Sequence, residues 1–385
     1  MSSFTAKPKV RLQLVRIFVF SLITIAVFRV LYVCLQIIKG DIYPYAITEW
    51  LINYSNGFIR RGLVGSIHLQ IFPYGTASLA ILLIVGVILF IIPALYALVW
   101  LHKSGYSWLS VVIVCNPAAF LFAAWDTGGL LRKEALGLAA LTFLAIAYVN
   151  WKVGAIRSVL IFISAIIYII AAFSSEINSF LLPCFIYLIS GLGVKGISLF
   201  WRKVTLGFFT LVGASGLLVG TFFPGNSTFR SSVCDSIITK GFSESYCGGA
   251  INLIGFQVSE YFYLVVEHFP MNLIYFFIFL PLALAPIFST SWVKENKKFL
   301  LFFVVIVAPL FIVAVDYGRT IAMFTTGLSL CVMANTNDIK SNINWTATKV
   351  IPFVTLWGLP GYIGPQIKSF PWLGPFEWIF TRITQ

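Results

Sequence analysis

TASLAILLIVGVILFIIPALYALVWL, residues 76–101, decides the fold class. It carries no charge and exceeds the roughly 20 residues a helix needs to cross a hydrocarbon core of about 30 Å. Apolar and polar residues do not alternate along it, as they must in a barrel strand, so the run reads as a transmembrane helix. Similar runs lie on both sides. Candidate spans fall near 17–38, 76–101, 107–124, 134–150, 156–174, 177–194, 204–223, 271–290, 299–315, 320–335 and 349–364. Composition agrees, because only 10% of the 385 residues are charged, against about a quarter in a soluble protein. Such a chain cannot cover a water-facing surface. The 37 Phe, 16 Tyr and 11 Trp suit a lipid-facing bundle with aromatic belts at its edges. The expectation is one all-α integral membrane domain over 1–385, a polytopic bundle of about eleven spans in a bacterial inner membrane. No small-residue cleavage site follows the first apolar run, which is therefore expected to be retained.

The basic residues orient the bundle. With the N-terminus inside, the inner segments hold 15 of the 26 Lys and Arg but only two of the 13 acids, Glu295 and Asp338, so the net charge of +13 gathers there. Eleven spans then leave the C-terminus outside. This basic excess is a topogenic signal and a contact for anionic lipids, not a nucleic-acid footprint. The outer segments 39–75, 125–134, 224–270 and 316–319 hold acids and bases together, so any chemistry is expected on the outer face.

The first outer segment contains NYSNGFIRRGLVG, residues 53–65. Ile47, Trp50, Leu51 and Tyr54 have helical spacing and suggest an amphipathic helix in the interface. Arg60 and Arg61 stand between Gly57 and Gly62. Guanidinium forks match phosphate oxygens, and outer-face arginines run against the positive-inside preference. The plainer alternative is an interfacial helix with snorkelling arginines. A second cluster, DTGGLLRKE at 126–134, places Asp126, Arg132, Lys133 and Glu134 at a span end, where charges are costly unless water or a ligand reaches them. Its alternative is a locally capped loop. A third, DYGRT at 316–320, spaces Asp316 and Arg319 for an ion pair if the turn is helical. Glu176 stands alone in SSEIN, 174–178, as a general base or an interfacial acid. Arg29, within the first span, reads as a charge with a structural partner. The loop 224–270 contains His268, a candidate proton acceptor or ordinary loop polarity, and Cys234 and Cys247, which an oxidising face would allow to pair. Two cysteines make no zinc site. Sequence motifs for ATP-driven or dinucleotide chemistry are missing.

NYSNGFIRRGLVG, DTGGLLRKE and DYGRT, in this topology, resemble the polytopic Wzy-type polymerases of O-antigen and capsular polysaccharide. The resemblance implies a periplasmic active site and an undecaprenyl-diphosphate-linked oligosaccharide donor. It also implies transfer of the growing glycan to a second lipid-linked repeat. A flippase and a chain-length regulator are the partners that go with it, alongside membrane lipids. The outer loop is modest in size for that family's polymer-handling surface. The residues suit the chemistry. Arg60, Arg61, Arg132, Lys133 and Arg319 would stabilise charge growing on the departing diphosphate. A carboxylate would accept the acceptor hydroxyl's proton, with Asp126 first, Glu176 and Asp316 behind it, and Glu49, Glu134 and His268 in support. The scheme requires no metal or other cofactor.

Two alternatives stand beside it. One is a glycosyltransferase with a polyprenyl-phosphate sugar donor, for which Asp41 and Glu49 supply first-loop acids. The other is a lipid-linked-sugar flippase, which needs charges within the membrane thickness, where the sequence places essentially one, Arg29.

Overall fold

A computed structural model describes residues 8–40, 45–72, 75–126, 131–150, 152–192, 197–267, 269–335, 340–361 and 374. Among these residues the chain is helical, with no β-strand and one isolated antiparallel bridge between Thr290 and Ser341. The first half runs through α1 (Pro8–Lys39), α2 (Tyr45–Leu51), α3 (Leu63–Ile71), α4 (Gly75–Lys103), α5 (Trp108–Val114), α6 (Phe122–Trp125), α7 (Glu134–Val149) and α8 (Gly154–Ser174). A 3-10 turn, Glu176–Leu181, leads into α9 (Leu182–Leu192), α10 (Leu199–Phe222), α11 (Ser227–Thr239) and α12 (Val258–Glu267). The remainder comprises α13 (Phe269–Ile274), a π turn at Tyr275–Phe279, α14 (Leu280–Phe288), α15 (Ser291–Glu295), α16 (Lys297–Val307), α17 (Leu310–Val313), α18 (Tyr317–Asn335) and α19 (Ala347–Thr355).

Four of these helices, α1, α4, α8 and α10, are long and apolar enough to cross a membrane. A fifth crossing results if Glu244–Leu253 and α12, which meet at 91°, count as one span. The other expected spans fall on shorter or broken helices. Residues 107–124 divide into α5 and α6, and 299–315 into α16 and α17 beside Pro309, whose ring cannot continue a hydrogen-bonded helix.

The burial pattern of α1 shows the solvent it is built for. Val15, Val19, Leu22, Ala26, Val30, Val33 and Ile37 form one buried stripe at spacings of three and four. The opposite face is apolar too, and exposed, with Phe20 at 72%. A water-facing helix would be polar there. Beneath this layer, α7 and α18 are covered nearly all round, and every residue of α18 from Thr320 to Ala334 is buried. Small residues on α7 (Ala139, Ala140, Ala145) permit the close approach that drives helix association in lipid. Tyr168, Phe185 and Phe209 stack at 4.3–5.4 Å between ring centres and lock α8, α9 and α10 together.

Segments expected on one side of the membrane meet each other. At one end the Thr48 hydroxyl accepts from Ala250 N–H (2.8 Å), Asn53 Nδ2 donates to Ser236 Oγ (2.9 Å), and Gly75 N–H donates to Lys240 O (2.9 Å). At another, Ser291 N–H donates to Lys340 O (2.9 Å) and Asn342 N–H to Ser289 O (2.8 Å). Cys234 and Cys247 are disulfide-bonded, tying α11 to the 3-10 turn Glu244–Cys247.

One expectation fails here. The helix predicted around Ile47 and Trp50 exists as α2, but all of Ala46–Leu51 is buried. It is enclosed by protein and does not rest one face on lipid. Other segments hold it on several sides: Thr48 accepts from Ala250, Trp50 donates to Leu131, and Glu49 pairs with Arg132.

Candidate functional site

The charges of the segments expected on the outer face converge. Glu49 comes from α2, Arg61 from the turn before α3, and Arg132 and Lys133 from the residues leading into α7. Glu134 is the first residue of α7, Glu176 opens the 3-10 turn after α8, and Asp316 and Arg319 flank the start of α18. Arg61 grips both carboxylate oxygens of Glu176, with Nε to Oε2 at 3.0 Å, and lies 3.9 Å from Glu49. Arg132 contacts Glu49 (3.4 Å) and Asp316 (3.7 Å), and Arg319 contacts Glu134 (3.4 Å) and Asp316 (3.3 Å). Three arginines and four carboxylates thus form one continuous network.

Its scaffold is strained in two places. Arg61 and Leu131 both have left-handed backbones, with φ of 67° and 64°, a conformation that costs a non-glycine residue about 1–3 kcal/mol. Each is held by a buried donor on its carbonyl. Lys133 Nζ donates to Arg61 O (2.8 Å), and Trp50 Nε1 donates to Leu131 O. Strain maintained by such anchors is typical of a site whose geometry matters. Close backbone contacts complete it. A Cβ on Gly318 would overlap the Pro360 carbonyl oxygen, one on Gly361 the Asp126 carboxylate, and one on Gly220 the Glu176 side chain. The DTGGLLRKE and DYGRT segments therefore meet across Pro360–Gly361.

Burial and mutual pairing set the protonation states. Burial pushes the Glu49 carboxyl upward, but Arg132, Arg319 and Arg61 outweigh it and hold the acid below its ordinary value. Burial likewise opposes ionisation of Glu176, and the Arg61 guanidinium overrides it and brings the group down to about 2. Burial also disfavours the charge on Arg61, yet Glu176 keeps it firmly protonated, well above the usual arginine value. Lys133 shows the reverse balance. It is fully buried, and loss of water lowers it to about 8 despite nearby carboxylates.

The expected cations divide by role. Arg132 and Arg319 sit in long ion-pair contacts and line a cavity of about 50 Å³, walled by residues including Phe90, Phe120, Phe122 and Leu138. Because both guanidinium groups are largely buried among carboxylates, an anion that takes their N–H groups must replace the electrostatic contribution of those pairs. Arg61 is locked to Glu176. Lys133 supports backbone, a different task from the phosphate contact expected of it. Arg60 leaves its neighbour altogether, donating to the carbonyls of Gly220 (3.3 Å) and Phe256 (3.1 Å) and to the Tyr261 hydroxyl (3.2 Å). Asp126 ends α6 beside Gly361 and does not line the cavity. His268, Asp41 and the Gly pair at 128–129 lie outside the described residues.

Sequence inspection missed several participants. Tyr45 places its ring 4.6 Å from the Arg132 guanidinium, a cation–π contact. Asn178 donates to the carbonyls of Lys133 (3.2 Å) and Ala171 (3.1 Å), joining the start of α7 to α8. Pro360–Gly361 carried no signal except a Pro–Gly turn pair. No family model, curated protein or solved structure matches this chain.

Proposed function

We propose that this chain is a membrane glycosyltransferase that polymerises undecaprenyl-diphosphate-linked oligosaccharide repeats into O-antigen or capsular polysaccharide. It works at the outer face of a bacterial inner membrane, crossing eleven times with the N-terminus inside and the C-terminus outside. One observation carries this reading: charged side chains from four segments far apart in sequence gather into one network beside an apolar-walled cavity. Those segments were all assigned to the same side by the distribution of Lys and Arg, and their meeting supports that assignment. A network of this kind suits an amphiphilic, polyanionic substrate.

Arg132 and Arg319 grip the lipid diphosphate. As the anomeric carbon–oxygen bond breaks, negative charge grows on the leaving oxygen, and fixed guanidinium groups in a water-poor site stabilise it. Glu49 and Asp316 hold those guanidinium groups in place until substrate arrives. Arg61, Glu176 and Lys133 form the rigid frame behind them. The acceptor hydroxyl surrenders its proton to a carboxylate of the network.

Deletion of the gene in its source cell, followed by gel separation of surface polysaccharide, tests the reading. A ladder collapsing to a single repeat unit supports it, and an unchanged ladder overturns it. Repeats lacking one sugar would assign the chain to polyprenyl-phosphate-dependent glycosyl transfer. Lipid-linked repeats stranded on the inner face would make it a flippase.

A further inference from the structure

We infer that Glu134 is the carboxylate that takes the proton from the acceptor hydroxyl, an assignment that rests on the glycosyl-transfer reading above. Among the network's four carboxylates, two accept hydrogen bonds from arginines and a third, Asp316, is a quarter exposed. Glu176 receives two N–H groups from Arg61, Glu49 accepts from Arg132, and Asp316 lies between Arg132 and Arg319. Glu134 differs. Its side chain is 6% exposed, both carboxylate oxygens are buried without a hydrogen-bond donor, and its contact with Arg319 is an ion pair at 3.4 Å. Arg319 Nε is also buried without an acceptor.

A buried carboxylate lacking donors is unfavourable, and both Glu134 and Arg319 line the same cavity. The group that completes them must donate to one and accept from the other. A hydroxyl does both. A phosphate can accept from Arg319 but cannot also donate to Glu134, because its ionised oxygens only accept. The cavity, at about 50 Å³, is several times what one water needs and admits a hydroxyl group.

The step balances. The hydroxyl oxygen bonds to the donor's anomeric carbon, and that carbon's bond to the diphosphate oxygen breaks. The electron pair leaves on the diphosphate held by Arg132 and Arg319, and the hydroxyl proton passes to Glu134, which later releases it to solvent. Glu134 opens α7, so it is carried on a rigid element, and the buried Lys133 beside it fixes the entry of the chain.

Purified wild-type, Glu134→Ala and Glu134→Gln proteins in detergent are assayed with lipid-linked repeats extracted from the deletion strain. A wild-type protein that makes no ladder defeats the polymerase reading itself. Given an active wild type, Glu134→Ala is expected to lose about 100-fold or more in rate, the scale of general-base catalysis. Millimolar formate, a carboxylate small enough for the vacated space, is expected to restore about tenfold. A folded Glu134→Ala protein keeping more than about a tenth of the rate overturns the assignment. So does an inert, folded one that formate leaves unchanged, since Glu134 would then serve only to hold Arg319. Should the alanine variant not fold, the near-isosteric glutamine decides: comparable loss supports the role, and a wild-type rate overturns it.

Discussion

The Lys133 ammonium donates to the carbonyl oxygen of Arg61 at 2.8 Å, joining residues 72 positions apart. A buried lysine thereby holds a left-handed arginine, and the arginine holds Glu176. Lys133→Met keeps the bulk but strips the donor from a buried carbonyl, and it is expected to lower stability by about 1–3 kcal/mol. Thermal unfolding of the detergent-solubilised variant measures this. The pH dependence follows from the lowered value of Lys133, about 8 in the fold against 10.5 for a free lysine. Between those values the unfolded chain binds the extra proton, so the group's contribution makes stability rise with pH across that window and adds no slope below it. Lys133→Met is expected to remove that rise.

Glu176 gives the opposite limb. Its folded value of about 2 lies below the ordinary 4.5, so its stabilising contribution is complete above about 4.5 and disappears as the pH falls toward 2. At about 1.4 kcal/mol per unit, its full size is about 3 kcal/mol. Glu176→Gln is expected to be less stable at neutral pH and to lack that acid limb. Unfolding midpoints measured between pH 3 and pH 7 provide the check, and parallel profiles for the two proteins would contradict it.

Arg132 and Arg61 are expected to fail differently. Arg132→Ala removes a cation at the cavity and is expected to reduce chain extension by about 100-fold or more, with membrane insertion intact and some loss of stability, because the buried Glu49 loses one of its two partners. Arg61→Ala breaks the tight pair with Glu176 and is expected to lower stability first. Gel ladders alongside melting curves separate the two outcomes.

Gly318 has no room for a side chain, because an added Cβ would overlap the Pro360 carbonyl oxygen. Gly318→Ala is expected to push the Pro360–Gly361 segment away from Asp126 and cost about 2 kcal/mol or more. A variant as stable as wild type would show that this segment yields without consequence.

The Cys234–Cys247 disulfide spans a sequence separation of 13, a loop for which cross-linking contributes about 3 kcal/mol. Replacing both cysteines with serine is expected to lower stability by up to that amount. In intact cells, labelling of these thiols only after reduction would place the loop on the oxidising side. Labelling without reductant would place it inside and reverse the proposed topology.

Much of the site was legible because charge is scarce in this chain. Where the sequence is nearly all apolar, Arg132, Lys133 and Glu134 in a row, or Asp316 three residues before Arg319, stand out as groups needing partners. Which partner each one takes was not legible. Arg60 and Arg61 are adjacent and chemically identical, yet one tethers backbone near Tyr261 and the other anchors Glu176, because the left-handed turn at Arg61 sends the two side chains to different neighbours. Glu49 was expected only as a supporting acid in the first outer segment and is instead buried at the centre of the network. Tyr45, Asn178 and Gly361 carried little signal, since their contacts with Arg132, Lys133 and Asp126 join residues more than forty positions apart.

Sequence alone determined that this is a helical chain with segments long and apolar enough to cross a membrane. Hydropathy and charge are properties of residues and need no fold to act. Tertiary structure alone decided which carboxylate meets which guanidinium, and which one, Glu134, is left facing a cavity without a donor. Pairing across 83 residues, as between Glu49 and Arg132, is settled by how helices pack, and in a medium of low polarity that packing determines what each charge can do.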